Sequence, residues 1–193
     1  MSPESAVTSR TVNGAEYPAV GTYDIDPSHT ELGFAVRHMA VSKVRGRLSK
    51  FSGTLVLAED PADSKATVSI DATSVDTRDE NRDAHLRTND FFDVENHPTW
   101  TFVSTAITPV NATEWKVEGD LTIRGTTKPV TLDATLEGVV KDPYGNHRVG
   151  FSAKTTINRE DFGVAFGAVM EAGGLVVAKK VDIEIEAEAT LQA

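Results

Sequence analysis

The sequence contains no cysteine, and this absence excludes several kinds of protein. Disulfide-stabilised folds, thiol nucleophiles and lipoproteins with an acylated cysteine all require that residue. Long apolar runs are also lacking, since no segment approaches the roughly 18 apolar residues of a membrane-spanning helix. The first 16 residues are rich in Ser, Thr and Ala and lack the apolar stretch of about 7–15 residues that a secretory signal needs. We therefore expect a soluble, cytoplasmic protein.

Basic residues are few: 19 Lys and Arg stand against 29 Asp and Glu, giving a net charge of −10. Nucleic acids and anionic membrane surfaces repel such a surface, so the composition disfavours both as partners, although local basic patches can still exist. The histidines show no metal-binding spacing, and no phosphate loop or nucleophile elbow occurs. We expect no metal, no cofactor and no catalytic residue. The five histidines are His29, His38, His85, His97 and His147.

The stretch from 175 to 191 alternates apolar residues with Lys, Asp and Glu, which predicts a strand with one dry and one wet face. At roughly 3.3 Å per residue it would be about 50 Å long, against a usual strand length nearer 20 Å. Lys179 interrupts the pattern, which predicts either a register shift or an ammonium group at an opening. The apolar positions are Leu175, Val177, Val181, Ile183, Ile185, Ala187, Ala189 and Leu191.

The same alternation recurs from Tyr17 onward, including a short first strand at Thr22–Asp26, and predicts about eight strands. The inward parity changes near Ser49-Lys50, which requires a bulge or bend. One short helix is predicted over Asn81–Asp90, with Asp79 or Asn81 as its cap. The resulting fold is all-β: an extended, eight-stranded, antiparallel, lipocalin-like barrel with one short helix near an opening. A two-sheet sandwich is the alternative. Residues 1–16 are predicted to be a disordered tail, and residues 17–193 a single domain.

Many residues on the predicted dry faces are small, and small side chains fill little volume. A packed core is the plain interpretation of these faces. Long strands with small inner residues instead favour an elongated apolar tunnel, in which each buried methylene of a ligand gives roughly 0.8 kcal/mol. The small inward residues are Gly46, Gly53, Ala66, Ala72, Gly119, Ala134, Gly138, Ala153, Ala187 and Ala189.

Several ordered blocks of sequence resemble those of the YceI-like polyisoprenoid-binding family. The blocks are Tyr23–Thr30, Leu32–Phe34, Val36–His38, Val44–Gly46, Phe51–Gly53, Arg82–Leu86, Asp90–Asp93, Pro98–Phe102, Gly119–Gly125 and Asn158–Gly163. The blocks occur in this order along the chain, and the resemblance extends over nearly everything from Tyr17 to Ala189. The resemblance implies a lipocalin-like barrel that holds an amphiphile, such as an isoprenyl quinone, a polyprenyl chain or a fatty acid amide.

The residues predicted to contact the ligand are the aromatic and aliphatic side chains of inward parity, together with one histidine. Trp100, Phe102, Trp115 and Phe151 either form the tunnel wall or pack one end of the barrel. His38 lies near a mouth or serves the structure. The predicted set is Phe34, Val36, His38, Phe51, Leu55, Ile70, Phe92, Trp100, Phe102, Trp115, Leu121, Leu132, Leu136, Phe151, Phe162, Val181 and Ile183.

The leading functional hypothesis is non-enzymatic binding, sequestration or transport of a long-chain amphiphilic lipid: an isoprenoid, a polyprenyl quinone or a fatty acid derivative. An enzyme acting on such a lipid through Asp83, His85 or Glu160 is one alternative, and a ligand-free, stress-associated scaffold is another. His85 and Arg159 serve either the ligand or the structure. The expected partner is the lipid, with no nucleic acid and no integral membrane segment, and a homodimer is compatible with the sequence.

Overall fold

The computed structural model describes residues 9–167 and 176–193. The described residues form thirteen strands, one α-helix and three short 3-10 helices, at Pro61–Asp63, Ala72–Ser74 and Arg159–Phe162. The α-helix, α1, spans Glu80–Arg87. None of the described helices is long and apolar enough to cross a membrane. The strands are β1 (Ser9–Val12), β2 (Ala15–Pro18), β3 (Gly21–Ile25), β4 (Glu31–His38), β5 (Ser42–Leu48), β6 (Phe51–Leu57), β7 (Lys65–Asp71), β8 (Val75–Asp76), β9 (Thr99–Pro109), β10 (Glu114–Ile123), β11 (Thr126–Lys141), β12 (His147–Asn158) and β13 (Val177–Leu191).

Eight strands close into an antiparallel barrel, which confirms the predicted fold. The order around the barrel is β3, β6, β7, β9, β10, β11, β12 and β13, and β13 pairs back onto β3. Closure leaves these strands without free edges and gives their apolar faces one shared interior. The predicted long strand is present as β13, with 15 residues, and its register shifts between Val177 and Val181, as the position of Lys179 suggested. Leu175 lies outside the described residues.

On one side of β13, two strands share the pairing. β4 pairs with the first part of β13, from Val177 to Glu186. β3 pairs with the last part of β13, from Ala189 to Leu191. β3 in turn pairs with β6, whereas β4 pairs with β5. The β3–β6 pair and the β4–β5 pair therefore diverge, and the gap between them is bordered by residues 25–31 and 49–53. We call this interruption in the wall the seam. The predicted bend at Ser49-Lys50 is confirmed, since β5 ends at Leu48 and β6 begins at Phe51.

The α-helix has the predicted cap Asp79, begins one residue before the predicted Asn81 and ends three residues before the predicted Asp90. The Asp79 side chain accepts a hydrogen bond from the Arg82 amide at 3.0 Å, which satisfies a free donor of the first turn. Thr88 is extended (ψ 171°) and its hydroxyl donates to the carbonyl of His85, so the helix stops at Arg87 instead of Asp90. The helix lies over one end of the barrel, where Leu86 packs against the core.

The predicted tail is wrong for residues 9–16, because β1 and β2 form a hairpin there. Its turn is Asn13-Gly14, both with positive φ (51° and 82°), a dipeptide suited to a tight hairpin. Arg10 attaches the hairpin to the barrel by donating to the carbonyls of Ala58 and Glu59, each at 2.5 Å. Tyr17 donates to the carbonyl of Ala112 at 2.7 Å. Residues 1–8 lie outside the described residues.

Two apolar clusters fill the two ends of the barrel. The cluster under α1 includes Phe91, Trp100 and Phe162, and the cluster at the other end includes Tyr17 and Trp115. Tyr17 meets Trp115 edge to face, with ring centroids 5.7 Å apart, so the hairpin forms part of the second cluster.

Candidate functional site: an apolar cavity in the barrel

A cavity of about 280 Å³ lies inside the barrel between the two clusters. Its wall comes from the inward positions of the barrel strands, and it is almost entirely apolar. The apolar lining residues are Tyr17, Pro18, Ile25, Leu32, Gly33, Leu48, Phe51, Leu55, Leu57, Pro61, Ala66, Val68, Ile70, Trp100, Phe102, Ile107, Trp115, Val117, Leu121, Ile123, Val130, Leu132, Ala134, Leu136, Phe151, Ala153, Ile183, Ile185 and Ala187.

The cavity exists because small residues occupy inward positions where larger ones would fill the interior. Ala134 and Ala153 face each other across β11 and β12, and Ala153 pairs next with Ile185 of β13. Ala187 and Ala66 add two further short side chains to the wall. At about 24 cal/mol per Å³, an empty cavity of this volume costs on the order of 7 kcal/mol. That cost is comparable with the entire net stability of a typical domain, so an apolar occupant is favoured.

Polar groups enter the lining mainly at its margins. Arg10, Ser64 and Lys65 line the cavity beside the β1–β2 hairpin, and Thr30 lines it at the seam. A second depression, of about 410 Å³, lies at the seam and is largely polar. It shares Thr30, Leu32, Leu48 and Phe51 with the cavity, so these residues separate the apolar interior from a polar surface site.

The polar groups around the seam are already paired. His29 Nδ1 lies 2.9 Å from Asp26 Oδ2, and Arg47 forms an ion pair with Asp76 at 3.1 Å. Glu31 and Glu186 also border the depression. The charges are therefore mixed in sign, and among the described residues no cluster of unpaired cations faces this depression.

A network of partly buried ion pairs around Arg148 lies next to the seam. Arg148 Nη1 bonds Asp26 at 2.9 Å and Glu188 at 2.7 Å, while its Nε bonds Asp142 at 2.7 Å. Hydrogen bonds from Ser28, His29 and Arg148 hold the pKa of the Asp26 carboxyl well below its usual range. Asp26, His29 and Glu188 are grouped closely enough to hold a metal ion, but the Arg148 guanidinium already neutralises both carboxylates. The arrangement fits a structural network better than a metal site.

Eleven of the 17 residues predicted to contact a ligand line the cavity. Their contact with a ligand stays a prediction, but the structure brings them together around one apolar space. They are Phe51, Leu55, Ile70, Trp100, Phe102, Trp115, Leu121, Leu132, Leu136, Phe151 and Ile183. Trp100, Phe102 and Trp115 also belong to the end clusters. These aromatic residues therefore both line the cavity and pack the ends of the barrel.

The other six predicted residues do not line the cavity, and their contact with a ligand stays a prediction. Phe34, Phe92 and Phe162 belong to the cluster that fills the barrel under α1. Val36, His38 and Val181 lie further along β4 and β13, beyond that cluster, where His38 pairs with Val177. The physical reason is that alternation identifies the face of a strand but not the height of a residue along the barrel.

Sequence reasoning missed the contribution of the N-terminal hairpin. Arg10, Tyr17 and Pro18 line the cavity although the chain before Tyr17 was predicted to be disordered. The Asn13-Gly14 turn was the available signal. Other lining residues, such as Val117 and Ile185, had the correct inward parity and could have been included on that ground.

The polar candidates for catalysis are occupied in separate structural interactions. Asp83 accepts bonds from the Thr77 amide and hydroxyl, at 2.9 and 2.6 Å, which fixes α1 to the preceding chain. His85 Nε2 lies 2.8 Å from Asp90, and Glu160 forms an ion pair with Lys179 at 2.9 Å. None of these residues lines the apolar cavity.

Arg159 is buried and holds backbone in place. Its guanidinium donates to the carbonyls of Val164, Phe166, Val177 and Ala178, at 2.6 to 3.2 Å. Burial lowers its pKa from the ordinary value, since desolvation disfavours the charged form. These contacts assign Arg159 to the structure of the barrel end.

Comparison with known proteins identifies the family. The family model described as "YceI-like domain" matches residues 23–189. The chain belongs to the YceI-like family. A UPF0312 protein of Staphylococcus epidermidis is 39% identical over 168 residues, which cover 86% of this chain and 95% of that protein. A UPF0312 protein of Pectobacterium atrosepticum is 37% identical over 161 residues, covering 83% of each chain.

Several solved structures share this fold. BcnA of Burkholderia cenocepacia has a TM-score of 0.76 at 26% identity, covering 86% of this chain and 99% of that chain. The YCEI protein of Campylobacter jejuni has a TM-score of 0.71 at 31% identity, covering 87% and 96%. A polyisoprenoid binding domain from Saccharophagus degradans has a TM-score of 0.69 at 16% identity, covering 90% and 100%, and shows the likeness of fold alone. The β1–β2 hairpin precedes the region matched by the YceI-like model.

Proposed function

We propose that this YceI-like protein is a non-enzymatic carrier that holds the hydrocarbon tail of an amphiphilic lipid in its barrel. The observation that carries the proposal is the apolar cavity of about 280 Å³ inside the barrel. Membership of the YceI-like family supports it, as does the fold shared with a domain named for polyisoprenoid binding. An isoprenoid or other long-chain lipid is the ligand class that such a cavity suits.

Burial of the tail supplies the affinity. Each methylene or its equivalent moved from water into the cavity contributes roughly 0.8 kcal/mol. Ala134, Ala153 and Ala187 leave the necessary space. The aromatic rings of Trp100 and Trp115, one in each apolar cluster, line it. An apolar wall selects a tail by its length and thickness and does not distinguish one kind of hydrocarbon from another.

We place the head group at the seam, because the apolar cavity and the polar depression share their lining residues there. A diphosphate requires several unpaired cationic groups, whereas Arg47 is paired with Asp76 and Glu31 borders the same depression. Mixed charges and hydroxyls suit a neutral head group that accepts and donates hydrogen bonds, such as a quinone, an alcohol or an amide.

Mass spectrometry of an organic extract tests the proposal. Protein purified without detergent is extracted alongside two variants: Ala153→Trp, which fills the cavity, and Ala106→Trp, which places the same ring on the exposed face of β9. We expect a stoichiometric long-chain lipid from the wild type and from Ala106→Trp, and a large loss from Ala153→Trp. Equal lipid content in the two variants, or no lipid above solvent background in any sample, would contradict the proposal.

A further inference from the structure

The hairpin formed by β4 and β5 differs from the rest of this acidic protein in its charge. Residues 37–50 contain five of the 19 basic residues and none of the 29 acidic ones. Arg37, Lys43 and Arg45 are exposed, and Arg37 lies directly across from Lys43 in the pairing. Lys43 forms an ion pair with Asp182 at 3.1 Å, but in residues 9–167 and 176–193 no carboxylate lies within ion-pair distance of Arg37 or Arg45. The hairpin therefore presents a local cationic surface on a chain of net charge −10.

The tip of this hairpin is apolar and exposed. Met39, Ala40 and Val41 all face solvent, and Val41 is 85% exposed. The turn is closed by the Val41 amide, which donates to the carbonyl of His38 at 3.0 Å. Apolar side chains at the end of a projecting hairpin gain nothing from burial in the folded monomer.

The backbone of the tip is also unfavourable for its residues. Met39 and Ala40 both have positive φ, 52° and 57°, a conformation that glycine and asparagine tolerate far better. The two other tight turns with successive positive φ values end in glycine, at Asn13-Gly14 and Arg124-Gly125. Local stability alone favours Asn-Gly at residues 39–40 as well, so the apolar pair needs another reason.

Protection of a free strand edge accounts for only part of this surface. Among the residues that the structure describes, β8 pairs with β5 at Arg47 and Leu48 only, so the earlier residues of β5 form an edge there. Charged side chains on an edge discourage unwanted strand pairing. That explains Lys43 and Arg45. It does not explain Arg37, which lies on β4 between two paired strands, or the exposed apolar tip.

We propose that the β4–β5 hairpin docks the protein on a bilayer that contains anionic lipids. In this arrangement Met39, Ala40 and Val41 enter the boundary between head groups and acyl chains, while Arg37 and Arg45 lie against the lipid phosphates. Attraction to such a surface combines buried apolar area with charge, and this hairpin offers both. The negative charge of the rest of the protein is repelled by the anionic bilayer. This repulsion orients the protein so that the tip of the hairpin faces the bilayer. The proposal does not depend on what the barrel holds.

Vesicle flotation with the full chain tests the docking surface. We expect the protein to float with phosphatidylcholine vesicles that contain phosphatidylglycerol, to remain behind with phosphatidylcholine alone, and to dissociate as salt concentration rises. Each basic residue near an anionic surface strengthens binding about fivefold, so Arg45→Gln should lower the partition coefficient by about that factor. Equal binding to both kinds of vesicle, or no binding to either at low salt, overturns the proposal.

Matched variants separate the tip from general surface effects. Val41→Asp should abolish flotation, whereas Tyr144→Asp should leave it unchanged, because Tyr144 is 91% exposed in the β11–β12 turn at the opposite end of the barrel. An equal loss in both variants overturns the proposal, and thermal melting establishes that each is folded. Since vesicle binding is measured without reference to extracted lipid, its failure and the failure of the carrier function are distinguishable.

Discussion

The paired substitution Ala134→Leu with Ala153→Leu shortens the cavity from the inside. The two alanines are cross-strand partners in its wall, so both leucine side chains enter the same part of the interior. Each leucine has three more carbon atoms than alanine, and together they occupy the space of about six carbons of a ligand tail. Hydrophobic core packing tolerates added carbons only where space exists, as it does here.

The expected magnitude follows from the transfer free energy of a methylene. In the wild type, affinity for ligands with one head group and increasing chain length should rise about fourfold per methylene, from roughly 0.8 kcal/mol each, until the cavity is full. In the double variant the rise should stop about six carbons earlier. For ligands that fill the wild-type cavity, the loss is about 5 kcal/mol at most, or between three and four orders of magnitude in Kd.

Displacement of a fluorescent lipid by a homologous series of long-chain alcohols measures this plateau. Ala106→Leu makes the same change of side chain once, on the exposed face of β9, and should behave as the wild type does. The ligand-free double variant should also unfold at a higher temperature, because part of the empty space is filled. A plateau at the same chain length in the wild type and the double variant would refute the idea that this cavity holds the tail.

Three further predictions concern the hairpins and the ion network. Tyr17→Phe removes the hydrogen bond to the Ala112 carbonyl and should lower the free energy of unfolding, measured by urea titration, by about 1 kcal/mol. Bound lipid should also dissociate faster from this variant in stopped-flow displacement. An unchanged free energy of unfolding and an unchanged dissociation rate would show that the hairpin does not close the cavity. Met39→Asn with Ala40→Gly should raise the free energy of unfolding by about 1–2 kcal/mol, because residues 39 and 40 both have positive φ. The same double variant should bind anionic vesicles less well. A lower melting temperature than that of the wild type would contradict the strain argument. The pKa of Asp26 is depressed in the folded protein, so its stabilising contribution is present above the ordinary aspartate pKa near 4 and is lost as the pH falls through the lower folded value. Asp26→Asn should therefore flatten the acid side of a plot of unfolding free energy against pH, and an unchanged slope below pH 4 would refute the assignment.

The alternation of apolar and charged residues was sufficient to predict the barrel strands. In β13 the aliphatic and acidic residues occupy opposite faces from Val181 onward, and in β5 and β6 the change of parity locates the bend at Ser49-Lys50. The start of α1 was equally predictable, because Asp79 supplies a side-chain acceptor for the first turn. These features depend on neighbouring residues in the chain, which is the information that a single sequence contains.

Features that depend on distant partners were not predictable in this way. β1 and β2 have only four residues each, and their stability comes from the packing of Tyr17 on Trp115, almost a hundred residues further on. The seam arises because β3 and β4 share one side of β13, a choice of partners that strand periodicity does not encode. For the same reason Phe34 and Phe162 were assigned to the cavity, although they pack one end of the barrel.

The double role of β13 has a consequence for how the protein folds during translation. β13 pairs with both β3 and β12, and it leaves the ribosome after every other strand described above. The wall therefore stays incomplete until β13 has emerged. Contacts so remote in sequence make folding slow, typically milliseconds to seconds for β proteins. Nascent chains are thus open to chaperones, and to lipids, for longer than a helical bundle of the same length would be.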